Sequence, residues 1–139
     1  MKKSIVAANW KMYKTIDESV NFLEKLNLKK IDHEHLRIII CAPFTSLFSM
    51  NKYINSSNSK VELGAQNVYY ENEGAFTGEI STQMLKESDI QHIIVGHSER
   101  RTLFNEDNSI VVKKAKKVLD ENINLIFCIG ETLEEREDG

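Results

Sequence analysis

The segment HIIVGHSERR, residues 92–101, joins a short apolar run to a charged one, and it contains the pattern on which the fold is built. Its first half, HIIVG (92–96), is rich in isoleucine, too short for a helix, and free of alternating polar residues. Such a run is typical of a strand that is covered on both faces. Four further runs share these properties: SIVAAN (4–9), RIIICA (37–42), VELGAQ (61–66) and LIFCIG (125–130). The sequence therefore predicts five buried strands.

Segments with helical periodicity lie between these runs. Thr15 and Glu18 have the spacing of a capping box, so a helix is predicted to begin at Thr15. A second helix is predicted over about 107–122, and shorter helices are predicted at 46–54 and 81–87. Strands that alternate with helices are the signature of right-handed βαβ units. We therefore expect an α/β fold with a parallel sheet of five strands and four helices, which no linker or repeat divides.

Composition limits the class of protein and its partners. The 139 residues have the length of one ordinary domain, and 41% of them are hydrophobic, which suffices for a core. The formal net charge of -3 argues against a nucleic-acid binder with a broad positive field. The first apolar run stops at Asn9, too early for a secretory signal or a membrane span. Cys41 and Cys128 lie singly in apolar runs, as reduced thiols do, so we expect a cytoplasmic protein without nucleic-acid or membrane partners.

The connection QNVYYENEGAFTGEI, residues 66–80, is unusual, because loops of about 15 residues are uncommon inside compact domains. It has no clear period, yet it carries the aromatic residues Tyr69, Tyr70 and Phe76, whose exposure to water would be unfavourable. Two interpretations are equally open on these grounds. The loop folds back on its own domain, or it docks on something else.

Two other polar motifs have simple interpretations. The basic run from Lys113 to Lys117 is predicted to be the solvated side of the fourth helix. His33 and His35, in DHEHLR, look like a metal pair, but residues two apart do not share a helical face, and no cysteine or third histidine is nearby. We expect a polar connecting loop there and no metal site. The glycine-rich nucleotide motifs are absent, and no cofactor is expected.

Candidate site residues follow two of the predicted strands. Ligands of parallel α/β sheets bind beyond the carboxyl ends of the strands, where Asn9, Lys11 and His97 are expected to converge. A lysine can hold an anionic substrate, an amide can donate to an oxyanion, and a histidine at the head of a helix favours its neutral form. Each also has a more common interpretation: a turn residue for Asn9, a solvated charge for Lys11, and a capping or core residue for His97.

Five blocks of sequence closely resemble the triosephosphate isomerase family, in the same order and with the same spacing. They are AANWKM (7–12), APFTSL (42–47), GAQNVYYENEGAFTGEIS (64–81), IIVGHSERR (93–101) and CIGETLEERE (128–137). The resemblance implies that residues 1–139 are the amino-terminal portion of a single TIM (β/α)8 barrel domain, incomplete after the fifth strand. The alternative is a complete five-stranded, doubly wound domain.

The resemblance also implies roles for four residues. Lys11, with Asn9 beside it, is similar to the lysine that binds the substrate and its developing negative charge. His97 resembles the histidine that polarises the carbonyl and moves protons between the two enediolate oxygens. Glu99 resembles the acidic neighbour that organises Lys11 and the site. In this family the neutral histidine works together with a glutamate base, and the family is the known example of that pairing.

The implied activity is the interconversion of dihydroxyacetone phosphate and glyceraldehyde 3-phosphate through an enediolate, in glycolysis and gluconeogenesis, by a cytoplasmic homodimer. The long loop resembles the arm that enters the partner subunit, so Phe76, Thr77 and Met12 are expected dimer contacts. The family's glutamate base follows a sixth strand, whereas Glu131, after the fifth, resembles a structural residue. We therefore expect these 139 residues alone to be inactive or nearly so. The alternative is a non-catalytic half-barrel that works by association or complementation.

Overall fold

The computed structural model describes residues 3–131 and 133–138 and contains one sheet of five parallel strands. The strands are β1 (Ser4–Asn9), β2 (Leu36–Ala42), β3 (Glu62–Ala65), β4 (His92–Val95) and β5 (Asn124–Phe127). The prediction of five parallel strands is confirmed. Their ends shift by up to three residues, because the apolar runs continue into the turns that follow β3 and β5.

Six helices connect the strands or follow them in the described part of the chain. They are α1 (Ile16–Asn27), α2 (Phe44–Ser57), α3 (Thr82–Glu87), α4 (Ser98–Leu103), α5 (Asn108–Asp120) and α6 (Leu133–Asp138). The prediction of four helices is wrong in number. Helices α4 and α6 were not among the predicted segments. Helix α4 has six residues and none of them is buried, so no apolar stripe indicates it in the sequence.

The predicted helix starts rest on the expected caps. The side chain of Thr15 accepts a hydrogen bond from the backbone N–H of Glu18, and the Glu18 carboxylate accepts one from the Thr15 N–H at 2.8 Å. This is the reciprocal capping box at the start of α1. Asp107 caps α5 by accepting from the N–H of Ile110 at 2.8 Å.

The strand order distinguishes the two predicted architectures. The five strands lie side by side in chain order, β1-β2-β3-β4-β5, and every neighbouring pair is parallel. A doubly wound sheet reverses its order at a switch point, whereas successive right-handed crossovers to the next strand place all helices on one side. The doubly wound alternative is therefore wrong, and the sheet is a half-barrel of the (β/α)8 type.

The core lies on both faces of this half-barrel. The larger cluster fills the space between the sheet and the helices and includes Leu23, Met50 and Val118, all fully buried. The smaller cluster is on the opposite, inner face, where Ile39, Cys41 and Ile94 pack together with partly buried residues that follow or belong to β5. The smaller cluster contains no residue from a helix, as expected for the face of a sheet that points into a barrel.

The basic run of α5 is not the solvated surface that the sequence predicts. Lys114 is 2% exposed, and Lys117 is half-buried, whereas Lys113 and Lys116 are exposed. The ammonium of Lys114 is paired with the buried carboxylate of Glu106 at 2.5 Å, which compensates its desolvation. The prediction is therefore wrong for Lys114 and Lys117, because a partner on another segment decides their burial.

The two cysteines are free thiols. Cys41 is buried, and burial raises its pKa to about 12, so it stays protonated and unreactive. Cys128 is half-buried, and burial likewise raises its pKa. Within residues 3–131 and 133–138, none of the helices has both the length and the apolar character needed to cross a membrane.

Candidate functional site

The turn after β1 brings Lys11 to the carboxyl end of the sheet. The side-chain oxygen of Asn9 accepts a hydrogen bond from the Lys11 backbone N–H at 2.9 Å. The carbonyl oxygen of Lys11 accepts from the Gln66 amide at 2.8 Å, and the same amide reaches the Cys41 carbonyl at 2.9 Å. Lys11 has φ of +53°, an uncommon left-handed conformation for a residue with a side chain. Hydrogen bonds to its N–H and to its carbonyl oxygen maintain this conformation. Residues with such uncommon backbone conformations are often found at functional sites.

The turn after β4 positions His97 at the same end of the sheet. Gly96 precedes it with φ of +77°, and a Cβ there would lie 3.1 Å from a methyl group of Val111. His97 is the N-cap of α4, and its Nδ1 accepts the backbone N–H of Glu99 at 3.2 Å. His97 thus has the capping position that its more common interpretation predicts, and Nδ1 is the ring nitrogen in this contact.

Glu99 joins the two turns. Its Oε1 lies 2.5 Å from Nζ of Lys11, and its Oε2 lies 3.6 Å from Nδ1 of His97. The hydrogen bond and the opposite charge of Glu99 raise the pKa of Lys11, and the hydrogen bond from Lys11 lowers the pKa of Glu99. The lysine is therefore an ammonium, and Glu99 is a carboxylate with reduced basicity. The sequence predicted this convergence of Lys11 and His97, and the described structure contains it.

These residues border two cavities at the carboxyl ends of the strands. One has a volume of about 210 Å³, and the other, of about 490 Å³, lies between α4 and the turn after β5. His97 borders both of them, whereas Lys11 and Glu99 border the first. The smaller cavity also includes the exposed side chain of Met12 and the buried Asn67. The histidine therefore lies between the two cavities.

A buried ionic network behind the site was not predicted from the sequence. Glu106 accepts from Arg100 Nε at 2.6 Å and from Lys114 Nζ at 2.5 Å, while Lys114 also donates to Asn67 at 2.8 Å. Burial raises the pKa of Glu106, but the hydrogen bonds from Lys114 and Arg100 outweigh it and lower the pKa. Gln66 was also missed, although its position directly after a strand is the signal that identified Asn9.

The histidines of the DHEHLR segment lie elsewhere. His35 Nδ1 is 2.7 Å from Asp32, and both side chains are exposed. A larger cavity of about 500 Å³ beside His33 is lined by both acidic and basic residues near the amino ends of the strands. Among the described residues, no group of three or more His, Cys, Asp or Glu side chains could hold a metal ion.

A parallel half-barrel that brings a lysine, a histidine and a carboxylate together at the carboxyl ends of its strands places the chain among (β/α)8-barrel proteins. The sequence matches the family described as Triosephosphate isomerase over residues 4–139. It is 46% identical to the triosephosphate isomerase of Dictyoglomus turgidum over the whole chain and 55% of that protein. The chain belongs to the triosephosphate isomerase family.

Further relatives agree with this assignment. The chain is 46% identical to the triosephosphate isomerase of Alkaliphilus metalliredigens, over 99% of the chain and 54% of the relative. It is 45% identical to that of Clostridium tetani, over 100% of the chain and 53% of the relative. The chain thus spans about half the length of the curated relatives it matches.

Proposed function

We propose that residues 1–139 form the amino-terminal portion of a triosephosphate isomerase domain and carry one part of its active site. The reaction is the interconversion of dihydroxyacetone phosphate and glyceraldehyde 3-phosphate, part of glycolysis and gluconeogenesis. The observation that carries the proposal is the contact of Glu99 with Lys11 at 2.5 Å, beside His97. It joins residues 88 positions apart in the chain at the edge of the sheet where such ligands bind.

Lys11 supplies the positive charge of this part of the site. Removal of a proton from the carbon next to a carbonyl places negative charge on the carbonyl oxygen, and a fixed ammonium stabilises that charge. Glu99 holds the Lys11 side chain by a direct ion pair, and Asn9 holds its backbone. Lys11 and Asn9 are thus the proposed substrate-binding residues, and Glu99 is the residue that orients the lysine.

His97 acts as the proposed proton donor to the substrate oxygens. Its Nε2–H is free to donate, because the Glu99 N–H occupies Nδ1. A neutral imidazole is a weaker acid than an imidazolium, and it can give its Nε2 proton to one enediolate oxygen and recover a proton from the other. Net proton transfer between the two oxygens leaves the ring as it began.

We propose further that these 139 residues alone have little activity, because the residues that the structure describes offer no suitable base for the proton on carbon. Glu99 is beside the histidine, but the hydrogen bond from Lys11 lowers its pKa and weakens it as a base. Glu131 borders the larger cavity but lies exposed after β5. General base catalysis contributes about 100- to 10,000-fold, so its loss should lower the rate by about that factor.

An isomerisation assay of the purified 139-residue chain tests this proposal. We expect the chain to convert glyceraldehyde 3-phosphate no faster than the His97→Gln and Glu131→Gln variants. Substantial turnover that disappears in Glu131→Gln would identify Glu131 as the base and contradict the proposal. Turnover that disappears only in His97→Gln would equally show that a base is present.

The second candidate is a non-catalytic module that works by association or complementation, and the open edges of the half-barrel favour it. Among residues 3–131 and 133–138, strands β1 and β5 end the sheet, and each has one neighbouring strand. Ile5 is 55% exposed on β1, and Ile129 is 86% exposed just beyond β5. Open edges with exposed apolar side chains favour pairing with another chain. A well-folded monomer at micromolar concentration in sedimentation velocity would contradict this candidate.

We also propose that Met12, Phe76 and Thr77 contact a second copy of the chain. Met12 is 94% exposed beside the smaller cavity, and Thr77 is exposed at the end of the long loop. Phe76 is 39% exposed, so much of its ring is open to solvent. Burying such side chains in a homodimer would remove apolar surface from water.

A further inference from the structure

Helix α5 contacts the long loop 66–80 through hydrogen bonds from two lysines. Lys114 Nζ donates to Oδ1 of Asn67 at 2.8 Å, and both residues are buried. Lys117 Nζ donates to Oδ1 of Asn72 at 2.6 Å from a half-buried position. Residues three apart are neighbours on one helical face, so the two bonds hold successive points of the loop against the same face of α5.

A third lysine contacts the loop between those two points. The ammonium of Lys113 lies 5.2 Å from the ring centroid of Tyr70, within the range of a cation–π interaction. Tyr70 stacks on Tyr69 with centroids 4.3 Å apart, and Tyr69 contacts Phe76 at 4.6 Å. Lys113 therefore contacts an aromatic cluster that joins the beginning of the loop to its returning arm.

The base of the loop is closed, whereas its tip is open. The backbone N–H of Tyr69 donates to the carbonyl of Ile80 at 2.8 Å, which brings the two arms together. Glu121 then accepts from both Lys117 and Lys86 at 2.6 Å, tying α5 to the helix that follows the loop. Residues 71–78, by contrast, are all exposed. Within this tip, Asn72 is held by Lys117 and Phe76 packs on Tyr69, so the conformation of the tip depends on contacts with α5 and with the base of the loop.

We propose that the basic face of α5, formed by Lys113, Lys114 and Lys117, is a clamp that holds the loop 66–80 in one conformation and presents residues 71–78 preformed. Ordering a loop of this length is entropically unfavourable, and contacts at three loop residues, Asn67, Tyr70 and Asn72, offset that loss. The clamp consists of residues to which we assign no catalytic role. Its consequence for self-association rests on the dimer contact proposed for Phe76 and Thr77.

Lysine-to-methionine variants test the clamp without shortening the side chains. The Lys113→Met/Lys117→Met variant keeps the apolar stems and the helix propensity but removes two loop contacts. Lys116→Met is the matched control, because Lys116 is exposed on the same helix and makes no hydrogen bond or ion pair with the described residues. Asn72→Ala is a second variant that removes only the loop-side acceptor of Lys117.

The readout is the hydrogen exchange of the Tyr69 amide, compared with amides of β2. We expect exchange at Tyr69 to accelerate about 5- to 10-fold in the double variant and less in Asn72→Ala, with β2 and Lys116→Met unchanged. Unchanged exchange at Tyr69 in the double variant and Asn72→Ala would overturn the clamp, as would equal acceleration in Lys116→Met.

Sedimentation of the same variants separates the clamp from the dimer contact. Faster exchange at Tyr69 with weaker self-association supports both. Faster exchange with unchanged self-association supports the clamp and contradicts the contact at Phe76 and Thr77. Weaker self-association with unchanged exchange overturns the clamp and leaves the contact in place.

Discussion

The backbone that follows His97 contacts one nitrogen of its ring. Nδ1 accepts the Glu99 N–H, and that bond exists because α4 begins directly after His97. The same helix start brings the Glu99 carboxylate to Lys11. A single turn of backbone thus orients the histidine ring and positions the carboxylate that holds the ammonium, and we expect it to favour the tautomer with the proton on Nε2.

Nitrogen NMR of the imidazole tests this assignment. With ¹⁵N-labelled histidine, we expect the His97 ring at pH 8 to have an unprotonated Nδ1 and a protonated Nε2. In Glu99→Pro, which removes the backbone donor, the preference for this tautomer should weaken. A proton on Nδ1 in the unaltered chain would contradict the assignment.

Glu62 connects three strands on the inner face of the sheet. Its carboxylate accepts two hydrogen bonds from Arg37, at 2.8 and 2.6 Å, and lies 2.7 Å from Nε2 of the buried His92. Hydrogen bonding to Arg37 is the main cause that lowers the pKa of Glu62 to about 2 from an ordinary value of 4.5. The charged form is therefore favoured by folding.

Acid denaturation should reveal this pairing. Because the folded pKa is the lower one, the stabilisation is fully present above about pH 4.5 and is lost as the pH falls towards about 2. We expect Glu62→Gln to reduce the free energy of unfolding by about 1–2 kcal/mol near neutral pH, with the difference vanishing in acid. Glu87→Gln is the control, because Glu87 is an exposed residue of a helix. An equal loss at all pH values would show that Glu62 acts through packing.

At the scale of elements, the strands were easier to predict than the helices around the site. Buried parallel strands are apolar along their whole length, so the run HIIVG (92–96) identifies β4 by composition alone. Helix α4 has only six residues and none is buried, so it leaves no apolar stripe in the sequence. The burial of Lys114 could not be predicted from the sequence for a different reason. Its partners Glu106 and Asn67 come close to it only through tertiary packing.

The close packing of β2 and β3 on the inner face depends on Gly64. A Cβ at this position would lie 2.6 Å from Sγ of Cys41 and 3.3 Å from the carbonyl oxygen of His92. We expect Gly64→Ala to destabilise the chain by about 1–3 kcal/mol, because Cys41 is fully buried and its Sγ would have to shift to admit the methyl group. Thermal or urea unfolding measures the change.

A double variant identifies the cause of that loss. Cys41→Ala removes Sγ, so Gly64→Ala should be less damaging when Cys41→Ala is already present, by about 1 kcal/mol. Part of the loss should persist because the contact with His92 remains. Strict additivity of the two substitutions would mean that Cys41 is not the atom that excludes a side chain at Gly64.

At the scale of the molecule, the half-barrel explains which part of the site could be predicted. The carboxyl ends of parallel strands meet at one edge, so Asn9, Lys11 and His97 could be assigned to a common site from their positions after two strands. The contact of Glu99 with Lys11 required the turn of α4 and came only from the resemblance. The contact of Gln66 with Lys11 and the Arg100–Glu106 pair could not be predicted from the sequence. Both depend on how the folded chain brings different segments together.

The central claim is that this half-barrel carries a working part of an isomerase site. A chimera tests it most directly: residues 1–139 replace the matched region of the Dictyoglomus turgidum triosephosphate isomerase, which supplies the remainder of its own chain. We expect an active chimera in which Lys11→Met and His97→Gln each lower kcat/KM by roughly 100-fold or more, while the exposed His35→Gln control changes little. A folded chimera that is inactive, or one that His97→Gln leaves unimpaired, would contradict the claim.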